Sequence, residues 1–166
     1  EECNGSAIIL DRDCYGITLS ANVIAHDGAG IELKDAHGCA VSANTFTIMK
    51  TNALYIGPNS DRITVTGNNF CNSYIGDGQL RRATKDMDAA GVVLESTADI
   101  ALSGNVFAST TTKAVELRGQ PSQGVVFGNN VLTDVESDHG ALQKSVIQNN
   151  LLSKARVKVS SEKTAK

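Results

Sequence analysis

Apolar residues along this chain recur in a fixed frame around asparagine. Ile17 and Leu19 precede Asn22 by five and three residues, and Ile24 follows it by two. The same offsets pick out Cys39, Val41 and Phe46 about Asn44, and Ile63, Val65 and Phe70 about Asn68. They recur as Ile100, Leu102 and Phe107 about Asn105, and as Val125, Phe127 and Leu132 about Asn130. A sixth copy about Asn150 is weaker, because Ser145 takes the first apolar place. Successive asparagines are 22, 24, 37, 25 and 20 residues apart. A period in this range marks a repeat array, whose units bury their apolar faces only by stacking on one another.

A second apolar run lies between the frames: AIIL (7–10), GIEL (30–33), ALYI (53–56), GVVL (91–94) and AVEL (114–117). Its alternation has the period of a β-strand, with Ile31 and Leu33 on one face and Glu32 on the other. Gly, Asp, Asn and Ser fill the gaps, which is turn chemistry rather than helix. A leucine-rich repeat shares part of the pattern, but its further leucine falls at Cys14, Ala36, Ser60, Thr97 and Ser122, none of them leucine. Each unit therefore reads as strand, turn, strand, asparagine turn and short strand. Stacked copies pair their backbones at the ~4.8 Å strand spacing, which makes an all-β parallel β-helix of about six coils. In such a stack Asn22, Asn44, Asn68, Asn105, Asn130 and Asn150 form a column of mutually hydrogen-bonded amides. Each asparagine is expected to take the left-handed backbone of its bend, with small neighbours beside it.

Composition narrows the partners. The 166 residues suffice for one such domain, expected over residues 1–158 with a polar tail at 159–166. No apolar stretch approaches the ~20 residues of a membrane span. A net charge of −3 gives no electrostatic reason for nucleic acid or an anionic membrane as partner. Cys3, Cys14, Cys39 and Cys71 show no metal spacing, and their redox state stays open. Cys39 takes an inward position. The apolar run so close to Glu1 presents a bare first coil, so upstream coils of the same chain are expected.

The paired GIxL and xIxVxxNxF blocks resemble the right-handed parallel β-helix repeats of the pectin lyase-like superfamily, from about Ala7 to Leu152. The resemblance implies a right-handed coil and an extracellular or periplasmic setting. It also implies a carbohydrate-directed role akin to polysaccharide lyases, hydrolases or epimerases. The enzyme signatures themselves are absent. DHG (138–140) and AHDG (25–28) are only partial echoes, so a non-catalytic extension or cap of a larger β-helix is the alternative.

Candidate chemistry concentrates in the stretched interval, a loop insert over 71–90. Arg81, Asp86 and Asp88 are its catalytic candidates, Tyr74, Arg82 and Lys85 its substrate contacts. Asp86 and Asp88 also suit calcium. A solvated, mixed-charge excursion with a short helix at LRRATKDM is the plainer reading. The outward column of the GIxL strands, Ile9, Glu32, Tyr55, Val93 and Glu116, is the second candidate surface. Glu32–Lys34 and Glu116–Arg118 also read as ordinary surface ion pairs. Glu32 and Glu116 lie three coils apart, too far for a glycosidase pair. His139 is a further acid–base candidate, although His26-Asp27 and Asp138-His139 fit exposed turns before GIxL-type strands. His37 sits in another turn with no evident partner.

Overall fold

The computed structural model describes residues 3–71, 89–108 and 113–154. They form a parallel β-helix. Its first sheet stacks Ser6–Leu10, Ala29–Leu33, Asn52–Ile56, Ala90–Glu95 and Val115–Arg118. The second stacks Thr18–Ser20, Ala40–Ser42, Asp61–Thr66, Ala98–Ser103, Gln123–Gly128 and Val146–Gln148, with two-residue strands Cys14–Tyr15 and Ala36–His37 at one corner. The third stacks Val23–Ala25, Thr45–Thr47, Asn69–Phe70, Val106–Ala108, Val131–Thr133 and Leu151–Ser153. All the pairings between these strands are parallel, and equivalent frame positions stand in register: Ile31 faces Leu54, Ile63 faces Ile100 and Phe70 faces Phe107.

Five coils are complete and a sixth is partial. Where a sixth first-sheet strand was expected, His139–Ala141 forms a 3₁₀ turn instead. Its segment lacks the β-branched alternation of the earlier copies, and the His139 ring takes the inward place of an aliphatic residue. That ring stacks on Phe127 at a centroid distance of 5.0 Å.

The frame residues make the core. Ile31, Leu33, Val41, Leu54, Ile56, Val65, Leu94, Leu102 and Phe127 are fully buried. Phe46, Phe70 and Phe107 stack face to face at 4.9 Å centroid spacing, their planes within 6°. This spacing is the strand repeat itself, so identical side chains in one column are brought into offset-stacking distance by the backbone. Cys39 is buried with them.

Two polar columns hold the corners. At the asparagine turn, the backbone N–H and Nδ2 of Asn44 both donate to Asn68 Oδ1, at 3.0 and 3.1 Å, and Asn44 Nδ2 also reaches Leu19 O at 2.9 Å. The pattern repeats from Asn68 to Asn105, Asn105 to Asn130 and Asn130 to Asn150. Every polar atom of these buried amides is thereby satisfied. At the opposite corner Ser60, Thr97 and Ser122 are buried, with Ala36 N–H donating to Ser60 Oγ and Thr97 N–H to Ser122 Oγ. These are the places where a leucine-rich repeat requires leucine.

One expectation about the bend is corrected. The left-handed residue is not the column asparagine but the residue before it: Ala21, Ala43, Gly67, Gly104, Asn129 and Asn149, with φ between 54° and 66°. The column asparagine must keep its side chain pointing into the stack, so its predecessor absorbs the reversal of the chain.

Candidate functional site

The outward row of the first sheet is assembled by strand register alone. Ile9 faces Glu32, Glu32 faces Tyr55, Tyr55 faces Val93 and Val93 faces Glu116. Tyr55 is its centre. Its hydroxyl donates to Glu95 Oε2 at 2.8 Å, and its ring folds back over Gly57, where a Cβ would lie 3.0 Å from the ring. Burial and then the Glu95 hydrogen bond push the Tyr55 hydroxyl up to about 12, with Glu32 adding to the shift and Arg118 opposing it. Tyr55 is thus a neutral donor at physiological pH, not a base. Lys34 pairs with Glu32 at 2.9 Å and Arg118 with Glu116 at 2.7 Å. The row departs from an open strip at one point: Val93, short and flanked by longer neighbours, is fully buried.

Other sequence candidates fare differently. Tyr74, Arg81, Arg82, Lys85, Asp86 and Asp88 lie outside the described residues. His139 is half-buried with its Nδ1 enclosed and unbonded, and desolvation lowers its pKa against the pull of Asp138. Asp138 accepts from Lys113 Nζ at 2.7 Å and from the Leu117 N–H at 3.4 Å, so it ties the partial coil to the last first-sheet strand. Asp27 is not the exposed turn residue expected: it is buried and accepts from the Cys3 N–H at 3.1 Å.

A cluster that segment-by-segment reading passed over surrounds His37. Its Nδ1 lies 2.9 Å from Asp61 Oδ1, and its Nε2 lies 3.2 Å from Asp35 Oδ1 and 3.8 Å from Asp13 Oδ1. Tyr15 stacks on the imidazole at 4.8 Å, and Arg62 pairs with Asp61 at 3.0 Å. The Asp61 hydrogen bond raises the His37 pKa; desolvation opposes it and Asp35 assists it. The signal was present in the asparagine frame. Tyr15, His37 and Asp61 share one column seven residues before Asn22, Asn44 and Asn68, and Asp13 and Asp35 share the column two residues earlier. Reading down the columns finds the partners that reading along the chain does not.

Comparison with known proteins bears on the same stretch. Residues 2–80 match the family model described as NosD, periplasmic copper-binding protein. The match spans a little under half of the chain and includes every residue of the His37 cluster. No curated protein and no solved structure matches the chain. Among the described residues, no helix is long and apolar enough to cross a membrane.

Proposed function

We propose that this β-helix is a glycan-contacting module of an extracytoplasmic protein, presenting the outer face of its first sheet to a polysaccharide. The observation that carries the reading is the register row centred on Tyr55. Carboxylates (Glu32, Glu95, Glu116) and cations (Lys34, Arg118) alternate beside one aromatic ring on a rigid sheet. Its rise of ~4.8 Å per coil is close to the advance of a polysaccharide per sugar unit. Carboxylates accept from sugar hydroxyls, cations donate to them, and the ring supports a pyranose face. The charges on this face nearly balance, which favours a hydroxyl-rich chain over a strongly anionic one. The role is one of binding, because Glu32 and Glu116 are held in ion pairs, Glu95 accepts from Tyr55, and the tyrosine stays protonated. The pectin lyase-like resemblance supports this reading, and the periplasmic description of the matching family supports the location.

Isothermal titration against neutral and uronate polysaccharides, with and without calcium, tests it. Binding to one polymer class that falls at least tenfold in Tyr55→Ala and in Arg118→Ala is the expected result. No binding to any polymer, or binding indifferent to both substitutions, overturns it. The reading as a non-catalytic extension of a larger β-helix draws on a separate observation. Val146, Ile147, Leu151 and Leu152 are exposed along the last coil, an apolar edge suited to further stacking.

A further inference from the structure

We infer that Asp13, Asp35 and His37 form a binding site for a borderline transition-metal dication, with Cu(II) the best-matched ion. The inference concerns a different sheet corner from the Tyr55 row and does not depend on the glycan reading. Among the described residues, this is where histidine and carboxylate donors converge: one ligand atom from each of the three lies within 4.8 Å of the others. A metal bonded at about 2.0–2.2 Å to nitrogen and oxygen holds its donors roughly 3–3.5 Å apart. The Nε2–Asp35 distance of 3.2 Å already meets that spacing, and Nε2–Asp13 at 3.8 Å is a small rotation away.

The surroundings are those of a ligand set rather than of a chance ion pair. Nδ1–H of His37 donates to Asp61, and Nε2, whose proton is held toward Asp35 in the metal-free chain, becomes the ligand atom between the two carboxylates when a metal displaces that proton. Such a carboxylate behind a ligating imidazole is the usual support of metal-bound histidine. Asp61 is in turn held by Arg62, and Asp35 by the Asp13 N–H at 2.8 Å. Tyr15 packs against the ring and limits its rotation. Asp13 is largely exposed, so one side of the site opens to solvent, where water completes the coordination. One imidazole with two carboxylates suits Cu(II), Zn(II) or Ni(II), and the stability order of divalent ions puts Cu(II) first. The donor chemistry therefore fits the metal named by the family that residues 2–80 match.

The test titrates the full chain, in a Cys3→Ser background that removes the exposed thiol, with Cu(II) alone. Calorimetry is expected to give one equivalent, and electron paramagnetic resonance to give coupling to a single imidazole nitrogen. His37→Asn should lower affinity at least 100-fold and abolish that coupling, with circular dichroism unchanged. Asp61→Asn, which only positions the ring, should weaken binding by about 10–100-fold while keeping the nitrogen coupling. Asp13→Asn alters a largely exposed side chain, and should weaken binding at least tenfold. Absence of stoichiometric binding, or binding untouched by His37→Asn and Asp13→Asn, overturns the assignment.

Discussion

At the scale of single residues, the bends set the terms. Gly67 and Gly104 hold φ of 64° and 66° where Ala21 and Ala43 hold 59° and 54° in the same place. A Cβ at Gly67 meets no atom within 4 Å, so the cost of adding one is purely that of the left-handed backbone. Gly67→Ala is therefore expected to destabilise by about 1 kcal/mol in urea titration. Ala43→Gly should return less than that, because glycine loses more freedom on folding. This detail was not legible in the sequence. Asparagine and its small predecessor are both compatible with positive φ, and only the demand that the column amide point inward decides between them. Asp27 was misjudged for a related reason: its acceptor role toward Cys3 depends on a coil 24 residues away. His139 carries a prediction of its own. Burial lowers its pKa, so as pH falls through about 6.5 the unfolded chain takes up a proton that the folded chain resists. Stability attributable to His139 is thus present above that range and lost below it. His139→Phe preserves the stack on Phe127 and should lose less melting temperature than the parent between pH 7.5 and 5.5. The comparison between the two proteins cancels the contributions of groups common to both.

At the scale of elements, the columns matter more than the strands that carry them. Asn68→Leu removes the acceptor of the Asn44 N–H and Nδ2 and the donor to Val41 O, all in a dry corner. With buried orphans at about 1–3 kcal/mol each, a loss of at least ~3 kcal/mol is expected in denaturant midpoint analysis. Copper affinity should stay unchanged in whatever fraction remains folded. Phe70 sits between two ring partners at 4.9 Å, and Phe70→Ala should cost about 3–5 kcal/mol, toward the upper end because neither neighbour can collapse into the gap. The three sheets and their register were legible because the asparagine offsets repeat with the same apolar neighbours. The 3₁₀ turn at His139–Ala141 was not, since the frame says where a coil must pass and not whether its last segment finds a strand to pair with. The His37 cluster shows the same limit from the other side. Its members come from three successive coils, 22 or 24 residues apart along the chain, yet they are nearest neighbours once the coils are stacked.

For the whole molecule, neighbouring coils supply nearly all contacts, so stability behaves as a sum of coils and their interfaces. Damage at an inner coil such as that of Asn68 should lower the cooperativity of unfolding, because it divides the stack. Damage at the outer coil of Asn150 should fray one end, and hydrogen exchange would resolve the difference. The asparagine rungs also explain how the array accommodates its irregular interval. Asn68 and Asn105 are separated by 37 residues, yet their rungs measure 3.0 and 3.1 Å, as do those separated by 24 or 25. The stack responds to where the chain re-enters and is indifferent to how many residues lie in between. Such a backbone offers evolution a socket: segments of varied length and character can be exchanged between Phe70 and Ala90 while the structure on either side is inherited intact.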